Sequence, residues 1–205
     1  MAIVVIGGQA SGVGKTGVIC ALIRAMPERR WTAIKVTQCS HQGGEAKPCD
    51  CDLDGRAVAM TEEHDHGART DSSRYLAAGA VRSLWVRTLP GHLAQVMPRV
   101  EEEIARAEDV LIESNSVMEF LRPDVYAMIV AQGVADFKPS ARRWLDRADA
   151  ILMAAPPAGG EVETSGWPVE LQQRLSGVEP FSVSAPRFVS PEFVALVQSR
   201  IDALI

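Results

Sequence analysis

A glycine-rich segment between an apolar strand and a helix constrains this chain more than any other feature. Ala2 to Ile6 is an unbroken apolar run and reads as a buried strand. Lys15 to Met26 carries helical periodicity and stops at Pro27. Between them lies Gly7-Gly8-Gln9-Ala10-Ser11-Gly12-Val13-Gly14-Lys15-Thr16, followed by Gly17. Glycines let successive backbone N–H groups turn inward around an anion. The start of the helix adds the positive end of its dipole. Lys15 is placed to neutralise the β- and γ-phosphates of a nucleotide, and the Thr16 hydroxyl to ligate Mg²⁺. The residues from Gly8 to Gly17 therefore read as a phosphate cradle. One position departs from the strict eight-residue pattern. Gln9 stands where its first glycine belongs, and Gly8 comes one residue early. The loop is either one residue longer or accepts glutamine there.

The rest of the chain alternates short apolar runs with helical segments. Strands are expected at Thr32–Val36, Val81–Val86, Val110–Ile112, Val125–Val130, Ala150–Ala154 and Phe181–Ser184. Helices are expected at Ser72–Ala80 with Asp71 as N-cap, His92–Ala107 with a kink or restart at Pro98, Ser140–Arg147, and Pro168–Leu175. A last helix opens at Ser190, with Pro191 at its first position. Pro156–Gly166 reads as a loop. This alternation predicts an α/β fold, a mostly parallel central sheet with helices on both faces. The 205 residues fit a single domain with a polar insertion over roughly residues 38–70.

Two further groups belong to the same chemistry. Lys35 closes the second apolar run, and a cation at the carboxyl end of a parallel strand lies near the usual ligand crevice. Glu113 ends the strand that starts at Asp109. A carboxylate there can hold Mg²⁺ directly or through water. Lys15, Thr16, Lys35 and Glu113 are the candidate catalytic set. Each also has a plainer reading, as a surface lysine at a strand end or a carboxylate paired with a nearby base.

The loop and these partners resemble the SIMIBI class of P-loop NTPases, whose fold is a three-layer α/β/α sandwich. The loop spacing is similar to that of the dethiobiotin synthetases. The Ser-Gly-x-Gly-Lys-Thr core resembles the B protein family of molybdopterin-guanine dinucleotide biosynthesis. Lys35-x-Thr37 and Asp71-Ser72-Ser73-Arg74-Tyr75, running on to Ala80, resemble that B family too, with Tyr75 in place of its histidine. Arg74 offers a fork for phosphate or carboxylate. The cell-division ATPases carry a second lysine where this chain has Ala10. The B-family resemblance implies GTP or ATP with Mg²⁺, slow hydrolysis and a partner enzyme in molybdenum cofactor maturation. The synthetase resemblance implies instead an ATP-dependent ligase, with an aspartate such as Asp54 joining the Mg²⁺ sphere. Both families place glycine after the central acid, where this chain has Ser114-Asn115.

The insertion holds Cys39, Cys49, Cys51, His64 and His66, thiol and imidazole donors of the kind a tetrahedral Zn²⁺ takes. Their spacing matches no zinc finger, and a solvated loop with reduced thiols is the alternative. A metallochaperone NTPase would be a third function. Nothing in the opening residues looks like a secretory signal, so a cytoplasmic protein is expected, and no apolar stretch is long enough for a membrane span. The net charge of −5 does not favour nucleic acid. A homodimer is compatible with the resemblance. ATP and GTP are not separated, because no Asn-Lys-x-Asp segment is present.

Overall fold

The computed structural model describes residues 1–39, 53, 55–131, 137–154, 169–175 and 180–204. Eight strands form one sheet: β1 (Ile3–Gly8), β2 (Trp31–Gln38), β3 (Val58–Glu62), β4 (Arg82–Thr88), β5 (Asp109–Glu113), β6 (Val125–Ala131), β7 (Ala150–Ala154) and β8 (Phe181–Val183). Their order is β3-β4-β2-β5-β1-β6-β7-β8. Every pairing is parallel except that of β3 with β4.

The helices are α1 (Lys15–Ala25), α2 (Asp71–Ala78), α3 (Leu93–Arg106), α4 (Pro139–Trp144), α5 (Val169–Leu175) and α6 (Pro191–Asp202). Alternation along the strands decides which layer each helix joins. Val4, Ile6, Ala33, Leu111 and Ile129 pack with Ile19, Leu22 and Ile23 of α1, Tyr75 of α2, and Phe193 and Val197 of α6. Their neighbours Val5, Ile34, Val86 and Ile112 point the other way, against Val96, Met97 and Val100 of α3, Ala141 of α4 and Leu171 of α5. Both faces of the sheet are covered, as a parallel sheet requires. The chain has a three-layer α/β/α fold, a mostly parallel sheet with helices on both faces.

Four local expectations change. The N-cap of α2 is Thr70, not Asp71. Thr70 Oγ1 accepts from Ser73 N at 3.1 Å and Ser73 Oγ accepts from Thr70 N at 2.9 Å, a reciprocal capping box. That frees the Asp71 carboxylate for the site. Helix α3 runs through Pro98 without a restart. Pro98 and Ala94 are exposed, so water can satisfy the carbonyl that the proline leaves unbonded. The helix expected to run to Arg147 ends as α4 at Trp144 and tightens into a 3₁₀ turn, Leu145–Arg147. Strand β3 lies in the polar stretch, which shows no clear period. The final helix keeps its expected start, with Ser190 Oγ accepting from Phe193 N at 3.2 Å.

The order of the strands fixes where a ligand can sit. The chain leaves β1 for β2 on one side, fills the gap with β5, then crosses to β6 on the other side of β1. Connections diverge around β1, which opens a crevice at the carboxyl ends of β1 and β5. The register puts Glu113 level with both Ile6 and Lys35. No helix among the described residues is long and apolar enough to cross a membrane.

Candidate functional site

The loop between β1 and α1 turns on two glycines. Gly12 and Gly14 hold φ of +77° and +102°, a region that favours glycine. A Cβ on Gly8 would lie 2.7 Å from Val13 Cγ2, so packing also requires glycine there.

Gln9 explains the irregular spacing. It is wholly buried, and its side-chain Oε1 accepts from Ala131 N at 2.9 Å. Its own N–H donates to Ile129 O at 2.8 Å. The glutamine thus ties the loop to the end of β6, where a glycine would leave the Ala131 N–H without this partner.

Asn115 fastens the loop from the other side. Its Oδ1 accepts from Gly8 N and its Nδ2 donates to Gly8 O, both at 2.9 Å. A Cβ on Gly7 would come within 2.3 Å of that Oδ1. Ser114 caps the 3₁₀ turn at Ser116–Glu119, its Oγ accepting from Ser116 N at 3.0 Å and Val117 N at 3.3 Å. Ser114 and Asn115 follow the central acid, and both side chains are used.

Beneath the loop, Thr16 Oγ1 donates to Glu113 Oε2 at 2.8 Å. The Tyr75 hydroxyl donates to the same oxygen. Burial, then the charge and hydrogen bond of Glu113, push the Tyr75 phenol well above its ordinary pKa, so it remains a donor. Lys15 Nζ donates to Ala10 O at 3.2 Å. Its pKa is lowered by burial; the Glu113 charge opposes this, and Lys138 and Lys35 add to it. Lys35 pairs with Asp71, and Arg74 Nη1 lies 3.4 Å from the other Asp71 oxygen. Burial pushes the Asp71 carboxyl up, but the hydrogen bond and charge of Lys35 outweigh it, and its pKa falls below the usual carboxylate value.

These groups line one cleft of about 830 Å³. The structure places Gly8, Ser11, Gly12, Gly14, Lys15, Thr16 and Gly17 on it, together with Lys35, Arg74 and Glu113. Gln9, Ala10 and Val13 support the loop from behind and are buried. The oxygens of Thr16 and Glu113 are hard donors in contact with each other at the loop, which suits Mg²⁺. Sequence reasoning did not reach four contributors: Asn115 as a clamp, Trp85 on the wall of the cleft, Phe188 and Lys138. A Cβ on Gly17 would stand 2.6 Å from the Phe188 ring, so α1 and the segment before α6 meet closely there.

The zinc set is not assembled among the described residues. Cys49, Cys51 and Asp54 lie outside them. His64 and His66 are exposed beyond β3. Cys39 is disulfide-bonded, which fits neither a zinc thiolate nor the alternative of a reduced thiol. No group of three or more His, Cys, Asp or Glu among the described residues is placed to hold a metal ion.

A Gly-rich loop with Lys15 and Thr16, set between β1 and α1 at the switch point of this sheet, has the layout of a phosphate-binding loop. No family model matches the sequence, and no curated protein does. Among solved structures, the chain is similar to LpxK from Aquifex aeolicus in complex with ATP, at 12% identity over 75% of this chain and 48% of that one, with a TM-score of 0.41. It therefore spans about half the length of LpxK. HypB from Helicobacter pylori in complex with nickel is 12% identical over 98% of this chain and 87% of that one, with a TM-score of 0.46. MobB from Bacillus subtilis is 18% identical over 98% of both chains, with a TM-score of 0.36. These neighbours are P-loop NTPases of the SIMIBI class.

Proposed function

We propose that the protein binds GTP or ATP with Mg²⁺ on the loop from Gly8 to Thr16 and hydrolyses it slowly. In this reading the nucleotide state serves a partner enzyme in maturation of a molybdenum cofactor, the molybdopterin guanine dinucleotide form. The observation that carries the nucleotide reading is the convergence of Lys15, Thr16 and Glu113 under a glycine loop at the switch point of the sheet. Thr16 and Glu113 would hold the metal, which when bound neutralises charge on the β- and γ-oxygens. Loop amides and Lys15 stabilise the same charge from the protein side.

Hydrolysis adds a water oxygen to the terminal phosphorus and breaks the bridging P–O bond. The nucleoside diphosphate leaves with the bonding electrons, and the water proton passes to phosphate or solvent. Among the described residues, the two carboxylates lining the cleft are both engaged, Glu113 by Thr16 and Tyr75, Asp71 by Lys35 and Arg74. Neither stands free as a base for water, which supports slow turnover. The cofactor-maturation role rests on the motif resemblance. Its two halves, Lys35-x-Thr37 and Asp71–Ala80, meet through the Lys35–Asp71 ion pair.

Calorimetry with Mg-ATP and Mg-GTP tests the nucleotide reading. Wild-type protein is expected to bind at least one, and Lys15→Ala to lose more than about tenfold in affinity. Wild-type protein that binds neither ends the proposal. A reconstituted cofactor-insertion reaction tests the partner role: an unchanged yield of guanine-dinucleotide cofactor removes it and leaves the nucleotide site intact.

One observation favours a second reading, transfer of the terminal phosphoryl group to a small acceptor. The cleft runs past the phosphate loop to Lys35, Thr37, Arg74 and Trp85, more lining than a triphosphate alone requires. ADP release that depends on a diamine and bicarbonate would support a ligase of the dethiobiotin synthetase type.

A further inference from the structure

Lys138 belongs to none of the motifs above, yet it is fixed to the phosphate loop by main chain and side chain together. It occupies the position before α4, where Pro139 sets the entry of the helix. Its backbone N–H donates to Gln9 O at 3.0 Å. Its carbonyl accepts from Ala141 N at 2.9 Å and Arg142 N at 3.0 Å. The Cα is thereby held between loop and helix. From there the ammonium donates to Ser11 Oγ at 2.8 Å and lines the same cleft as Lys15.

The charge balance of this corner points to an anion. Lys35 has Asp71 as counter-ion. No carboxylate among the described residues pairs with Lys138. Lys15 and Lys138 therefore present two ammonium groups to one short loop, and the Lys138 charge adds to the lowering of the Lys15 pKa that burial causes. A polyanion between them turns that repulsion into attraction. Ser11 stands three residues before Gly14, on the exposed tip of the loop. The Ser11 hydroxyl is a neutral acceptor. Exchanging it for a phosphate oxygen replaces an ordinary hydrogen bond with a charge-assisted one, roughly twice as strong.

We propose that Lys138 is a second phosphate-binding cation, supplied in cis from the start of α4, that contacts the terminal phosphate of a bound nucleoside triphosphate from the Ser11 end of the loop. The inference rests on the reading that the loop holds a triphosphate. It gives the chain, from a different element, the second lysine that Ala10 does not provide. A nucleoside diphosphate lacks the terminal group and leaves Lys138 on Ser11, so Lys138 discriminates between the two nucleotide states.

The test compares wild-type, Lys138→Gln and Lys138→Arg proteins by calorimetry, each with a nonhydrolysable nucleoside triphosphate and with the matching diphosphate, both with Mg²⁺. Lys138→Gln is expected to lose about tenfold in affinity for the triphosphate and less than about twofold for the diphosphate, with Lys138→Arg within about threefold of wild type. The diphosphate arm reports whether the variant retains a folded loop. Equal losses for both nucleotides, or no loss for either, overturn the role of Lys138. Wild-type protein that binds neither nucleotide overturns the reading of the loop and the role of Lys138 with it.

Discussion

Thr16 Oγ1 and Glu113 Oε2 lie 2.8 Å apart, and this contact joins the start of α1 to the end of the central strand β5. The two residues are 97 positions apart in the chain. Tyr75, from a third element, donates to the same carboxylate oxygen. Glu113 is buried, so its remaining orientation depends on these two hydroxyls.

Tyr75→Phe removes one of them without changing the shape of the core. A hydrogen bond to a charged group contributes roughly 1.5–3 kcal/mol, and urea unfolding of the nucleotide-free protein is expected to show a loss of that order. The Mg²⁺ concentration needed for half-maximal nucleotide binding should rise as well, because Glu113 is less well aimed. An unchanged urea midpoint together with an unchanged Mg²⁺ requirement would mean that the Tyr75 hydroxyl has no such role.

Gln9→Ala tests the tie between the loop and β6. The substitution leaves the Ala131 N–H without the 2.9 Å acceptor it now has and opens space in a wholly buried position. A loss of about 1–3 kcal/mol in stability is expected from the unmade hydrogen bond. A variant as stable as wild type in denaturant would show that the glutamine is incidental to the loop.

Asp71 makes stability depend on acid. Its folded pKa is depressed, so its contribution is fully present above the unfolded value of about 3.9 and is lost as pH falls through the lower folded value. Asp71→Asn should therefore be less stable than wild type near neutral pH, and the gap should close as pH falls below about 4. Urea midpoints measured from pH 6 downward check this. A gap that is constant across the range would separate Asp71 from the acid dependence.

Much of the architecture is legible in the sequence, because buried parallel strands announce themselves. Ala150–Ala154 is expected and found as a strand, and Ser190 and Pro191 begin the last helix where capping chemistry puts them. β3 escapes because Val58–Glu62 is a short antiparallel edge strand, half-buried to exposed, whose apolar residues end at Met60 and sit inside a long polar stretch. Asp71 reads as an N-cap by residue type, yet Thr70 takes that place, since its hydroxyl and Ser73 can bond reciprocally. That exchange explains how Asp71 is left to meet Lys35.

The site divides along the same line. Lys15 and Thr16 open α1, Glu113 ends β5 and Lys35 lies in the last half of β2, so local pattern finds them. Asn115 and Lys138 do not. Their contacts with Gly8 and Ser11 span 107 and 127 residues, and only the sheet order brings them together. The chain could hint at Lys138 only as a cation immediately before a proline at a helix start. Ser114 and Asn115 read from sequence as missing glycines. In the fold they are the residues that cap the following turn and clamp the loop.

A crystal structure of the protein with a nonhydrolysable nucleoside triphosphate and Mg²⁺ tests the central claim most directly. The account predicts the triphosphate in the cleft with Lys15 on its β- and γ-oxygens, loop amides between Gly8 and Thr16 around it, and Mg²⁺ near Thr16 and Glu113. A triphosphate bound away from this loop, with Thr16 still hydrogen-bonded to Glu113 and Lys15 still on the Ala10 carbonyl, would contradict it.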